Sequence, residues 1–394
     1  MEGRNASIGE VEGMPKRPLM LLLASSLIIQ MLVGVTGITI PIYAERMGAS
    51  PMLIGVIGAT GGMIYSFMPL VSGILTEKFR RKPFLVTSTF LYGLVCILYT
   101  LTEKPRMLIP VKALEWFSIA VFWPSVETLL TDLAEERLEE TLRKFNLSWG
   151  FGTIIGPMIG GSLISVFEIK APFIFSSILS LSLSLLAAIV VKEKPRENMR
   201  YLRGKDEVVA EKGAFALAMA IVSILLFSIV GGIIFNLFPA YAAGLGIPEY
   251  EIGVIMLLNG VFRLIAFLKA YAIKSRIGSI FTFLFGSLMF ASASSLTALS
   301  STTILFSISF SAFGFGAGIL YANSISLIFR RLSSIRGYAS GVFESLIGTG
   351  YFLGSLAGGY VSEYSPNAPY ILGALISLAA SIFYIAGKIF QKTK

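Results

Sequence analysis

The sequence predicts an all-α membrane protein: twelve transmembrane helices in two pseudo-symmetric six-helix bundles. Three observations predict it. Of 394 residues, 55% are hydrophobic and only 14% are charged, where a soluble domain carries about a quarter charged residues. The apolar residues gather in twelve runs, each near the roughly 20 residues of helix that cross a hydrocarbon layer about 30 Å thick. The two halves of the chain also match one another at one fixed offset, from Gly34 and Gly232 onward.

The runs lie near 19–41, 51–72, 83–102, 107–130, 142–165, 171–191, 213–240, 250–272, 280–299, 302–329, 338–360 and 368–390. Lipid leaves only helices and closed barrels as spanning structures, and barrel strands would alternate every second residue. The first run has no charge from Leu19 to Tyr43; it is too long for a signal peptide, and eleven similar runs follow. The second ends in the basic loop Gly73 to Lys82, and the third holds Cys96, the one cysteine, which excludes an intrachain disulfide. The fourth carries charges within the apolar run, and the fifth is glycine-rich. The sixth leads into the longest polar stretch, Lys192 to Lys212. Beyond that linker the seventh holds Asn236, the eighth Arg263 and Lys269, the tenth Tyr321 and Asn323, and the eleventh Glu344 among glycines. The ninth is uncharged, and the twelfth is uncharged up to Lys388 near its end.

The predicted organisation is therefore a tail (1–18), a bundle (19–191), a linker (192–212) and a second bundle (213–394). Basic residues orient it. Only four, Arg46, Lys104, Arg106 and Lys170, fall in the loops of one side, and Lys112, Arg263 and Lys269 lie within spans. All the others of the 32 belong to the opposite side, which places both termini in the cytoplasm of a multi-pass plasma-membrane protein. The net charge of +9 lies in short loops rather than on one soluble face, so nucleic acid is excluded as a partner. There is no histidine, and the only aspartates, Asp132 and Asp206, are cytoplasmic. Histidine-based metal sites and an intramembrane aspartyl enzyme are thereby excluded, and no P-loop occurs for an ATP-driven pump. The expectation is a monomer with neither cofactor nor metal.

The internal match holds without gaps. Pro41 meets Pro239, Tyr43 meets Tyr241, and Gly48 meets Gly246; Ile54 to Ile57 meets Ile252 to Ile255. Later, Gly152, Gly156, Gly160 and Gly161 meet Gly350, Gly354, Gly358 and Gly359. Small residues recur wherever membrane helices pack closely, but one register sustained from the first span to the fifth marks duplicated halves. Parallel halves of this kind bind a solute near midplane between them.

Three segments resemble the major facilitator superfamily. Gly73-Ile-Leu-Thr-Glu77-Lys-Phe-Arg80-Arg81-Lys82 is similar to its loop pattern G-x-L-a-D-r-x-G-r-k, with Glu77 for Asp and Arg80 for Gly. Lys112-Ala-Leu-Glu115-Trp116 resembles its R-x-x-q-G segment, with Lys for Arg. Gly152-Thr-Ile-Ile-Gly156-Pro157-Met-Ile-Gly160-Gly161 is similar to the G-x-x-x-G-P-x-x-G-G segment of its antiporters. Close helix approach is expected at Gly73, and a bent, tightly packed helix at Pro157. Glu77 and Arg81 are expected beside the start of the eleventh span, near Arg336 to Tyr338, as a gate with Lys82. The resemblance implies secondary transport, with protons as the coupling ion and the direction tilted toward export.

An ionisable group in hydrocarbon marks a functional site by default. Lys112, Glu115, Trp116, Trp123 and Glu127 fall on one face of a helix, which the family architecture turns toward the cavity. Glu115 is the first candidate for proton coupling, with Lys112 and Glu344 beside it. A local Lys112–Glu115 pair with Lys112 snorkelling outward is an equally open reading. Arg263 and Glu344 sit at matching depth, as a candidate pair. Gln30, Thr36, Trp116, Trp123, Asn236, Arg263, Tyr321 and Asn323 are candidate cavity residues. The expected function is proton-coupled efflux of small hydrophobic or amphipathic compounds, with uptake of a small metabolite as the alternative. The partners are that small-molecule substrate and the lipid bilayer.

Overall fold

A computed structural model describes residues 16–133, 138–192, 214–331 and 336–392. Among them are twelve long helices and no strand: α1 (Lys16–Arg46), α2 (Pro51–Lys78), α3 (Arg81–Thr100), α4 (Leu108–Leu133), α5 (Leu138–Val166), α6 (Ala171–Val190), α7 (Ala214–Gly244), α8 (Glu249–Ile277), α9 (Ser279–Ala298), α10 (Thr303–Arg331), α11 (Arg336–Ser362) and α12 (Ala368–Lys392). A short 3-10 turn, Pro105–Met107, precedes α4. Eleven of the twelve are long and apolar enough to cross a bilayer; the glycine-rich α11 is outside that set. Several run past the apolar spans, because a helix that leaves hydrocarbon keeps its backbone satisfied by continuing. Pro41, Pro69, Pro124, Pro157 and Pro239 lie inside helices, where neighbours and local adjustments satisfy the freed carbonyls.

The register of the repeat is reproduced in the helices. α1 and α7 are both 31 residues long, and their starts (16, 214) and ends (46, 244) differ by the same 198 positions. Gly48 and Gly246, one repeat apart, both take φ 80°, a left-handed turn that favours glycine. α1 packs on α5, α2 on α4, and α3 on α4 and α6; α7 packs on α11, α8 on α10, and α9 on α10 and α12. The second set is the first moved on by six helices. Buried hydroxyls tie helices together within each set. Ser180 donates to the Thr89 carbonyl at 2.7 Å, and Ser287 and Ser381 share a hydrogen bond of 2.7 Å.

The halves meet along α2 and α11, α5 and α8, and α1 and α7. The face that carries the start of α1 is called proximal here, and the opposite face, with the α1–α2 and α7–α8 turns, distal. On the distal side the backbones touch at two glycine pairs, Gly55 with Gly359 and Gly161 with Gly253. A Cβ on Gly55 would lie 2.6 Å from the Gly359 Cα, and one on Gly253 would lie 2.8 Å from the Pro157 carbonyl oxygen. Polar contacts reinforce the seal. Arg46 of α1 is ion-paired with Glu249 of α8. The Tyr250 amide donates to Ser165 Oγ at 3.0 Å, and the Met52 amide donates to Glu363 Oε1 at 2.9 Å. Ser165 and Glu363 are again one repeat apart, as are Met52 and Tyr250. Each half thus caps the start of a helix in the other.

The ion pair adds little to this seal. Its side chains are 44% and 19% exposed, and an exposed pair is worth roughly 0.2–1 kcal/mol. Arg46→Ala is expected to raise distal-side opening by no more than about fivefold, the Boltzmann factor of that energy. The rate at which an impermeant thiol reagent labels Ile57→Cys from the distal side measures it; native Cys96 is buried and silent.

Candidate functional site

Glu115, in the second turn of α4, is 1% exposed, and Lys112, one turn earlier, is 5% exposed. Their Nζ–Oε2 distance is 2.8 Å. Thr36 of α1 donates to Glu115 Oε1 at 2.7 Å, and Tyr99 of α3 donates to Oε2 at 2.8 Å. Thr36 also shares a 3.1 Å hydrogen bond with Tyr92. Both carboxylate oxygens are therefore engaged from three helices, the arrangement that makes a buried ion pair tolerable. Lys112 does not snorkel; its ammonium turns inward, 5.7 Å from the Trp116 ring. The structure thus brings Thr36, Lys112, Glu115 and Trp116 together and adds Tyr92 and Tyr99, which the sequence reading did not single out.

Lys112 also lines a cleft at the junction of the halves with Pro41, Ile57, Gly58 and Asn236. Asn236 donates to Ser355 Oγ at 2.8 Å and to the Gly232 carbonyl at 3.2 Å, which joins α7 to α11. Of the other cavity candidates, Gln30 lies against Gly152 of α5. Trp123 packs edge-on against Phe122 and Phe145, with centroids at 5.1 and 6.1 Å. Asn323 is buried and donates to the Ile319 carbonyl of its own helix at 2.8 Å.

A second group of polar side chains lies nearer the proximal face: Tyr65 (α2), Glu127 (α4), Arg263 (α8), Tyr321 (α10), and Glu344 and Tyr351 (α11). Glu127 and Glu344, on opposite halves, are in electrostatic contact with each other and with Tyr65 and Tyr321. Gly348, one turn beyond Glu344, seats on the backbone of Tyr65 and Ser66. Glu127 is exposed, and the other five are partly exposed, although all lie well inside their helices. The distal seal closes the opposite side. The walls of this vestibule are aromatic: Tyr65 meets Trp116 at 5.2 Å, and Tyr321 meets Phe343, Phe227 and Phe267 at 5.2, 5.6 and 5.7 Å. The Trp116 Nε1 is buried without a hydrogen-bond partner among the described residues.

Arg263 and Glu344 share this vestibule but form no ion pair; Arg263 interacts electrostatically with Tyr321 and Tyr351. Tyr65 and Arg263 stand one repeat apart, as do Trp123 and Tyr321. Aligning the halves on their charged and aromatic positions, and not only on glycine and proline, would have found Tyr65 from the sequence.

The loop and helix segments fare unevenly. Gly156 and Pro157 of α5 seat directly on Gly34 of α1, and Gly152 and Gly160 on neighbouring turns of the same helix. Gly161 instead faces α8 at the seal. These are the tight contacts expected of that segment. Gly73 corrects the expectation of a close approach: a Cβ there would meet nothing within 4 Å. Arg81 is ion-paired with Asp132 at the end of α4, in its own half. The side chains of Glu77 and of Arg336 to Tyr338 lie outside the described residues, so the gate expected between them does too. Lys82 is partly exposed. Among the described residues no group of three or more metal-ligating side chains occurs.

Comparison with known proteins agrees with this geometry. The model of the Major Facilitator Superfamily matches residues 22–332 and 220–393. An uncharacterised MFS-type transporter of Methanocaldococcus jannaschii is 25% identical over 370 residues, which covers 89% of this chain and 92% of that one. The crystal structure of the nucleoside transporter NupG superposes with a TM-score of 0.76 at 17% identity, covering 93% of this chain and 98% of that one. A bacterial homologue of the human lysosomal transporter Spinster, in an inward-facing and unoccupied conformation, superposes with a TM-score of 0.72 at 13% identity, covering 95% and 96%.

Proposed function

The chain belongs to the Major Facilitator Superfamily of transporters, and from that premise we propose that it exports small hydrophobic or amphipathic compounds in exchange for protons. Two six-helix bundles, related by a pseudo-two-fold axis along the membrane normal, rock about a site at their junction. The proximal face is cytoplasmic by the distribution of Lys and Arg, and the membrane is the plasma membrane. The single observation that carries the reading is the vestibule: aromatic walls around six polar side chains that stay at least partly exposed while the distal side is sealed. A compound from the cytoplasm or the inner leaflet enters there. Opening the distal seal while the proximal side closes releases it outside.

The exposed Glu127 and the partly exposed Glu344 suit the proton better than Glu115 does. Glu127 and Glu344 have no ion-pair partner among the described residues, and either can be neutralised by a proton arriving through the vestibule. Glu115 is already held by Lys112, Tyr99 and Thr36. Glu344 is therefore the coupling residue in this reading, with Glu127 facing it.

Transport of a panel of labelled amphipathic compounds, in inside-out and right-side-out vesicles under an imposed pH gradient, tests the proposal. Accumulation in inside-out vesicles with an acidic lumen is the expected result. Accumulation only in right-side-out vesicles would replace export by uptake of a small metabolite.

A further inference from the structure

Arg263 is the charge in the vestibule that has no way to become neutral. A carboxylate in hydrocarbon can take up a proton, and a lysine can lose one; a guanidinium stays protonated at any relevant pH. A cation so placed needs an anion, and intramembrane arginines pair with one another's counter-charges or mark a substrate path. Arg263 has no carboxylate within ion-pair distance among the described residues, and the phenols of Tyr321 and Tyr351 are the groups it interacts with electrostatically. The two carboxylates of the vestibule face each other instead. Lys112 illustrates the contrast, since its charge is matched inside the fold by Glu115 at 2.8 Å.

Arg263 lies beside a narrow cleft between α7, α8, α9 and α10. Phe227, Phe235, Phe290 and Phe313 line it, and its other polar group is Asn259. The Asn259 amide donates one hydrogen bond, to the Phe310 carbonyl at 3.2 Å, which leaves its side-chain oxygen and a second N–H for another partner. The Phe235 ring stacks on Tyr351 at 6.4 Å, and Gly231 of the cleft lies under the Tyr351 hydroxyl. The cleft therefore adjoins the vestibule through Arg263, which lines it, and through Tyr351. An apolar slot with a fixed positive fork at its mouth matches one kind of molecule: an apolar, preferably aromatic body ending in a carboxylate, which a guanidinium holds through two parallel hydrogen bonds.

We infer that Arg263 and the phenylalanine-lined cleft beside it bind an amphipathic organic anion, an aromatic carboxylate, with Arg263 on the carboxylate and Asn259 as a second polar contact. This rests on the proposal that the vestibule is the transport site and narrows its substrate class from amphipathic compounds in general to anionic ones. The divided charge then has a division of labour: Arg263, permanently charged, holds the anion, while Glu127 and Glu344, which can be neutral, take the proton.

The test compares two ligands of nearly one shape, 2-naphthoate and 2-naphthamide, by equilibrium binding at pH 7 to the full chain in lipid nanodiscs. Wild-type protein should bind the carboxylate at least tenfold more tightly than the amide. Arg263→Gln should bring the ratio close to one, and Arg263→Lys, which keeps the charge and loses the fork, should give an intermediate ratio. Equal affinities in the wild type, or a ratio unaltered in Arg263→Gln, would overturn the inference; the wild-type comparison needs no variant to fold. If the vesicle panel reveals transport of neutral or cationic compounds while naphthoate is not preferred, the anion inference fails and the transport reading stands. If no compound on the panel is transported and neither naphthyl ligand binds, the transport reading fails with it.

Discussion

Lys112→Met should strip the protein of about 3–5 kcal/mol of stability, the usual consequence of removing one partner from a buried ion pair. The carboxylate left behind is 1% exposed and keeps only the hydroxyls of Thr36 and Tyr99. Removing both charges should be far milder. The positions one repeat away from Lys112 and Glu115 are Phe310 and Phe313, whose rings meet edge-on at 5.7 Å, so the fold already accommodates an apolar pair at this place. Lys112→Met with Glu115→Met should therefore recover most of the loss. Thermal melting of the detergent-solubilised protein measures all three. A single variant that melts with the wild type would mean that water reaches the pair, and Glu115 would then return as the first candidate for coupling.

Gly161→Val should hold the distal side open. Any Cβ at Gly161 runs into the Glu249 carbonyl, which belongs to the opposite half, and backbone cannot swing aside as a flexible side chain would. Overpacking of this kind costs about 1–3 kcal/mol, a population shift of about 5- to 150-fold. Because the obstruction exists only in the sealed state, the cost falls on that state alone. Ile57→Cys, 2% exposed in the wild-type structure as isoleucine, should become reactive to an impermeant thiol reagent from the distal side, and turnover in vesicles should drop at least tenfold. Gly359→Val, at the position one repeat on, should do the same against Gly55. Labelling as slow as in the parent would remove these glycines from the gate.

The twelve helices and the repeat were legible in the sequence because both rest on local quantities, run length and residue identity at a fixed spacing. That α5 packs tightly was legible for the same reason, since Gly156 and Pro157 allow close backbones, but that its partner is Gly34 of α1 was not. Partners across the membrane were not. That Glu115 would be claimed by Tyr99 and Thr36, and that Arg263 would be left facing two phenols, depends on side-chain directions that helical spacing cannot supply. Arg263 and Glu344 were expected at one level, but level alone does not bring two helix faces together. Gly73 misled for a related reason: a glycine in a loop pattern is consistent with close approach but also with open space, and here it is the latter.

The crosswise contacts at the seal have a further consequence. Gly55 touches Gly359 and Gly253 touches Gly161, so that position i of one half meets position j of the other, and j of the first meets i of the second. That is an isologous interface, the kind that joins two identical subunits in a two-fold homodimer. Each half carries a surface complementary to its own copy as well as to its partner, and nothing in the glycine contacts tells the two apart. What distinguishes the correct pairing is the chemistry that departs from the repeat: Lys112 and Glu115 in one half, Phe310 and Phe313 in the other, Tyr65 set against Arg263. Fusion into one chain fixes the stoichiometry at one of each. A pairing of two first halves would close the same seal around two buried ion pairs with no arginine, and a pairing of two second halves would hold two arginines with neither Tyr65 nor Glu127 opposite them.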